Sequence, residues 1–285
     1  MLICSKLKII TRVAREKLMY TKEKIKDDLR ALGAPVGVPV IVHTALRLVG
    51  EVEGGGEGLL DALIEYFTED GGLLCIPTHT WANLGKEKPT LDLLSPESNL
   101  GAMPTIALKD GRGIRSENPT HSMVVFGERE RAEKFIENDA RVKTPTAPES
   151  CYGRIYDEGG AVLLLGVAQN KNTFLHCVDE ILKTPNRMDS KPCGATVRTR
   201  DGKISEKEFY IYYTDYTDDI SWRFTKFDTA FKYCGCVREG FVGDAPSAIC
   251  DAVGMLECVK HIYERGGGAD PLEGEEPIPP AWYSK

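Results

Sequence analysis

The run Val162-Leu163-Leu164-Leu165 restricts the fold more than any other segment. Four consecutive apolar residues, bounded by Gly159-Gly160 and Gly166, leave no polar face for water, so the run reads as a strand buried on both sides. A strand of that kind needs a sheet covered on both faces. Pro39 to His43, Leu73 to Ile76 and Met123 to Phe126 read as further strands. Helical patterns lie between them: Lys22 to Leu32, stopped at Gly33 and Pro35, Leu59 to Phe67 after a Gly54-Gly55-Gly56 entry, Gly101 towards Lys109, and Glu128 to Glu137. The alternation predicts an α/β fold, a mixed and largely central β-sheet flanked by helices. Past Pro185 the pattern changes to period two. Ala195 to Arg200, a turn at Asp201-Gly202-Lys203, and Lys207 to Tyr213 predict a β-hairpin in the C-terminal third, and Pro246 to Tyr263 reads as a last helix.

Composition narrows the class. A chain of 285 residues with 42% hydrophobic and 28% charged residues is globular, not disordered. The formal charge of −7 argues against nucleic acid or anionic membrane as partner and suits a cationic ligand. No apolar run approaches the ~18 residues that span a bilayer. Nine cysteines, odd in number and without a secretory leader, point to a reduced cytoplasmic setting. Cys234-Gly235-Cys236 is the only tight pair, and no second pair stands at zinc spacing, so no metal is expected. Residues 1–18 are basic and read as an extension, 19–272 as one domain, and 273–285 as an acidic, Pro-rich tail. A monomer or a homodimer is expected.

Open α/β sheets bind ligands beyond the carboxyl ends of their strands, and the polar residues in such places are the candidates. His43 ends the first strand and runs into Thr44-Ala45-Leu46-Arg47, and Thr78 and Trp81 follow the second as a pocket lip. Asp92 lies in a long loop, and Arg115-Ser116 precedes the third strand, where the arginine is either a phosphate clamp or a surface residue. Beyond the buried run, Thr173 reads as the N-cap of a helix from Phe174 to Leu182, with His176 and Asp179 three residues apart on one face and Glu180 next. An imidazole beside a carboxylate is either a general base with its orienter or a core histidine beside an acidic pair.

Several blocks then occur in a recognisable order: Val42-His43-Thr44-Ala45-Leu46-Arg47 with Gly50, Ile76-Pro77-Thr78, Leu91-Asp92 before Ser95-Pro96 and Gly101-Ala102-Met103-Pro104, Arg115-Ser116 with Pro119 and Ser122, Leu164-Leu165-Gly166-Val167 with Asn172-Thr173 and Leu175-His176, and Gly243 with Ala245-Pro246-Ser247. In these the chain resembles the aminoglycoside 3-N-acetyltransferases over about residues 19–272. The resemblance implies acetyl-coenzyme A as donor and, as acceptor, the 3-amino group of a 2-deoxystreptamine aminoglycoside, hence antibiotic resistance. It makes His176 the general base and places an aspartate, Asp179, where the family has its partner glutamate. Glu180 is the second candidate for that partner. Thr44-Ala45 stands for Ser-Ser in a loop whose backbone amides the family turns towards coenzyme A. Arg47 and Arg115 become candidates for its phosphates, and Asp92, Asp179 and Glu180 for the acceptor's cationic groups. Direct attack in a ternary complex is expected over an acyl-Cys177 route, because one helical position turns Cys177 off the His176 face. A different small amine as acceptor, or a non-catalytic acyl-CoA-binding protein, are the alternatives.

Overall fold

In the computed structural model, which describes residues 19–215 and 219–284, a seven-stranded mixed sheet lies between two layers of helices. The segment 1–18 falls outside the described residues.

The strands follow the apolar runs. In chain order they are β1 (Met19–Tyr20), β2 (Pro39–Thr44), β3 (Glu51–Val52), β4 (Leu73–Pro77), β5 (Leu91–Asp92) and β6 (Ile114–Arg115). Then come β7 (Met123–Phe126), β8 (Ala161–Leu165), β9 (Cys193–Arg198), β10 (Ile204–Phe209), β11 (Val237–Val242) and β12 (Ala245–Asp251). The central sheet runs β11-β12-β8-β2-β4-β7-β6, with β2 parallel to both β4 and β8 and the other pairings antiparallel. β8 sits between β2 and β12, and all five of its residues are buried, as its apolar run requires.

Helices α1 (Lys22–Leu32), α2 (Gly55–Phe67) and α3 (Ala102–Asp110) cover one face. They pack on Val40, Val42, Leu74, Ile76, Leu163 and Leu165. The other face carries α4 (Arg129–Ile136), α5 (Cys151–Asp157), α6 (Phe174–Leu182), α7 (Asp228–Cys234) and α8 (Ala252–Arg265), packed on Ile41, Cys75, Val125, Val162 and Leu164. Successive strand residues therefore feed opposite cores, the period-two rule at work in an apolar run.

Three local expectations change. Residues Ala245–Asp251 form a strand paired with both β8 and β11, and the last helix begins only at Ala252. Asp251 is its N-cap, its side chain accepting from the Val253 N–H at 3.1 Å. The second hairpin strand ends at Phe209, because the Tyr210 N–H leaves the ladder to donate to the Lys143 carbonyl at 2.8 Å. Thr173 is itself helical and makes no side-chain cap. The Asn172 side chain accepts from the Phe174 N–H instead, at 3.2 Å. The segment after residue 272 packs back on the body, with Ile278 and Tyr283 buried in the core under α8.

Candidate active site

The carboxyl ends of the parallel strands β2, β4 and β8 open into a cavity of about 750 Å3. His43 and Thr44 reach it from the end of β2, His79 from the turn after β4, and Lys171 and Thr173 from the turn after β8. His121 enters just ahead of β7, Tyr212 from beyond the hairpin, and Asp219 from the segment leading into the 3-10 stretch Ile220–Phe227. His176 lies in the first turn of α6 and lines the same cavity. Four of the chain's five histidines thus meet in one place.

The His176 ring is held by aromatic contacts. Tyr212 stacks on it with centroids 4.2 Å apart and planes 17° apart, and Phe224 meets it edge-on at 4.9 Å. Its Nδ1 is buried with no hydrogen-bond partner, and so is the Thr44 hydroxyl. Neither atom has a protein partner, so solvent or a bound molecule must complete the bonding of both. Burial lowers the pKa of His176 to about 4, with Asp219 pulling it up and Arg187 pushing it down. The ring is therefore neutral at physiological pH.

The other three rings have fixed roles. His43 Nε2 accepts from the Thr173 N–H at 3.4 Å, and burial, helped by Lys171, lowers its pKa to about 3. His79 Nε2 pairs with the Tyr152 hydroxyl and His121 Nδ1 with the Thr120 hydroxyl, each at 2.9 Å. The His79 and His121 rings lie 4.2 Å apart. Burial holds both far below the usual imidazole pKa, and neighbouring histidines add to the effect.

Neither acid near His176 bonds to it. Asp179 is buried and accepts from Arg187 Nε at 3.0 Å, while the same guanidinium holds Asp270 at 2.8 Å. Burial pushes the Asp179 carboxyl up to about 6, and Arg187 pulls it back. Glu180 accepts from the Thr144 hydroxyl, from the Thr146 N–H at 2.8 Å and from the Tyr212 hydroxyl at 3.2 Å. Glu180 thereby reaches His176 only through the Tyr212 ring. Arg187 is the residue that withdraws Asp179. Replacing it by methionine leaves two carboxylates without their shared cation, one of them fully buried, and should cost about 3–5 kcal/mol. Calorimetry should then show a Tm lower by roughly 10 °C.

The remaining candidates divide. Trp81 lines the cavity and is half exposed. Thr78 is buried and does not line the cavity, its hydroxyl donating to the Ser122 carbonyl at 3.1 Å. Asp92 is turned away, paired with Arg198 at 3.2 Å. Arg115 donates to the carbonyls of Thr78, Asp92, Ser95 and Glu97 and to the Ser122 hydroxyl. All five of its N–H groups are engaged, three of them on the 92–97 loop, so a phosphate would have to displace them. Ser116 is buried and accepts from the Met123 N–H at 3.1 Å. Ala45 donates its N–H to the Leu165 carbonyl at 2.8 Å, which removes one amide from the loop's supply. Leu46 and Arg47 begin a 3-10 turn, and Arg47 is exposed to solvent outside the cavity. Cys177 is buried in the core below α6 and does not line the cavity. Among the described residues no group of three His, Cys, Asp or Glu is arranged to hold a metal ion.

Tyr212, Lys171 and Asp219 were not singled out from the sequence. Tyr212 sits in a run of tyrosines at strand spacing, and nothing local distinguishes it. His79 and His121 carried a signal, since both occupy polar segments adjoining buried strands.

A family model described as aminoglycoside 3-N-acetyltransferase matches residues 41–264. The chain is 27% identical over 259 residues to aminoglycoside N(3)-acetyltransferase VII of Streptomyces paromomycinus, covering 83% of this chain and 89% of that one. It is 28% identical over 274 residues to aminoglycoside N(3)-acetyltransferase III of Serratia marcescens, covering 88% and 100%. Among solved structures, the apoenzyme of aminoglycoside acetyltransferase AAC(3)-IVa superposes with a TM-score of 0.71 at 26% identity, over 90% of this chain and 92% of that one. A variant of the same enzyme in complex with apramycin gives 0.70 at 25%, over 92% and 99%.

Proposed function

The chain belongs to the aminoglycoside 3-N-acetyltransferase family, and from that premise we propose that it transfers an acetyl group from acetyl-coenzyme A to an amine, the 3-amino group of a 2-deoxystreptamine aminoglycoside, with His176 as general base. One observation carries the reading: His176 faces the cavity as a neutral imidazole with a buried Nδ1 that no protein group satisfies.

The cavity fits a thioester arm. Val42, Ile76, Pro77 and Val167 give it apolar walls where parallel strands end, and the unbonded Thr44 hydroxyl offers a donor inside it. When bound, the thioester supplies an activated acetyl carbon. The protein's own part is to hold the acceptor nitrogen against that carbon and to remove its proton. A neutral histidine can take the proton as the C–N bond forms, typically worth about 10²–10⁴-fold in rate. The imidazolium produced is buried, and the family's carboxylate is not beside it. Two features of this chain stabilise it instead: the carboxylate of Asp219 across the cavity, and the Tyr212 face at 4.2 Å. Glu180 and Thr146 hold Tyr212 in that position through its hydroxyl. Tyr212→Leu should therefore lower kcat about tenfold, equivalent to ~1.4 kcal/mol of transition-state stabilisation. Tyr212→Phe keeps the stack and should lose less than about threefold. Equal losses in the two variants would assign the effect to the hydroxyl.

A second reading keeps donor and base but changes the acceptor. Among the described residues Asp219, which also caps the stretch Ile220–Phe227 by accepting from the Ser221 N–H at 2.9 Å, is the one carboxylate that lines the cavity; Asp92, Asp179 and Glu180 do not line it and bond to other partners. An acceptor with fewer ammonium groups than an aminoglycoside suits that lining, because a buried cation without a partner is costly. Release of free coenzyme A from acetyl-coenzyme A decides between the readings. In a panel of 2-deoxystreptamine aminoglycosides and simple primary amines, turnover is expected with aminoglycosides preferred. Turnover of simple amines alone would favour the second reading, and turnover of neither would refute both.

A further inference from the structure

Outside the cavity, the Cys-Gly-Cys pair has a third member. Gly235 (φ +73°) ends α7 in the left-handed conformation that glycine adopts without strain, and it turns Cys234 and Cys236 towards α8. On α8, Gly254 and Cys258 are four residues apart and share a face. Gly254 lets the chain approach closely, since a Cβ there would come within 2.5 Å of the Cys236 Cβ. Cys258 meets the pair on that face. Its Sγ is 3.2 Å from Cys234 Sγ, and Cys236 is within hydrogen-bonding reach. Cys234 is exposed, while Cys236 and Cys258 are buried.

We propose that Cys234, Cys236 and Cys258 form a thiol–disulfide exchange site whose substrate class is small-molecule disulfides. The two sulfurs need approach by only about 1 Å to reach bonding distance, which side-chain rotation can supply. The exposed Cys234 thiolate attacks a disulfide RSSR, forming a mixed disulfide and releasing RS⁻. Cys258, already in contact with Cys234 Sγ, attacks that sulfur and releases the second RS⁻, giving up its proton as it does so; its hydrogen bond to Cys236 and its burial raise its pKa, so this step is the slower of the two. Two protein thiols are thus oxidised to one disulfide, RSSR is reduced to two RSH, and the two protons lost from the cysteines are taken up by the departing thiolates. Cys236 can displace Cys234 from Cys258 by the same exchange, which returns an exposed thiol to the surface. The crosslink joins positions 24 apart. It ties α8 to α7, and α7 continues the stretch Ile220–Phe227 whose Phe224 packs on His176. This site stands independently of the acetyl-transfer reading.

The experiment is oxidation of the reduced full-length protein by glutathione disulfide, followed by thiol counting and non-reducing peptide mapping. The expected result is loss of two thiols per chain, a peptide containing Cys258 joined to the one containing Cys234 and Cys236, and reversal by dithiothreitol. The oxidised form should unfold about 5 °C higher or more. Cys258→Ser should instead leave a stable glutathione adduct on Cys234, and Cys234→Ser should slow oxidation at least about tenfold. A glutathione adduct that persists on Cys234 in the unaltered protein, or no loss of thiols, would overturn the proposal.

Discussion

Lowering the pH from 7 to 5 should cost this protein on the order of 4 kcal/mol and lower its Tm by about 10 °C or more. The reason is the histidine cluster. His43, His79, His121 and His176 are buried, and burial lowers the pKa of each, to about 3 for His43 and about 4 for His176. In the unfolded chain each returns to near ~6.5. Between those values the unfolded chain binds protons that the folded chain refuses, so stability rises with pH in that window. The contribution is complete above ~6.5 and is lost as pH falls towards the folded values, at about 1.4 kcal/mol per histidine per pH unit. Asp139, Asp179 and Glu180 act in the opposite sense, because burial raises their pKa and the folded chain keeps their protons where the unfolded chain does not. Of these, Asp179 reaches about 6 and offsets one histidine over most of the range. The histidines outnumber it, and the net slope is acid loss, large against the roughly 5–15 kcal/mol that holds a domain folded. Thermal scans from pH 5 to 8 check this, and a Tm flat between pH 7 and 5 would contradict it.

How much of this was legible in the sequence depends on the range of the interaction concerned. The strands at Pro39, Leu73, Met123 and Ala161 were readable because each is a short apolar run with a glycine within two residues of at least one end. Ala245–Asp251 was missed because Pro246 suits a first helical turn as well as a strand start, and only pairing with β8 and β11 decides between them. Within the site, His176 was legible from the strand, turn and helix around it and from the ordered blocks on either side. Its surroundings were not. Spacing placed Asp179 on the His176 face but could not show that Arg187, eight residues on, would take the carboxylate. Nor could spacing show that Glu180 would reach across to Thr144, Thr146 and Tyr212, at separations of 36, 34 and 32 residues. Arg115 shows the same limit: a lone arginine in a loop reads as a phosphate clamp until the carbonyls it serves are known.

In the proposed reaction everything converges on His176. Truncating it to alanine removes the group that takes the proton and leaves the apolar walls, the Thr44 hydroxyl and the histidine at the end of β2 in place. The chemical step should therefore fall by about 10²–10⁴-fold, or ~3–5.5 kcal/mol in its barrier, while acetyl-coenzyme A still binds. Cys177 cannot take over as nucleophile, since it is buried in the core and burial pushes its thiol far above the usual range. The most direct measurement is single-turnover release of coenzyme A by His176→Ala at saturating acceptor, with donor affinity from calorimetry on the same preparation. The expected rate is lowered at least about a hundredfold, with the Kd for acetyl-coenzyme A within about twofold of the unaltered protein. A rate within a few-fold of the unaltered protein would contradict the assignment of His176 as the base.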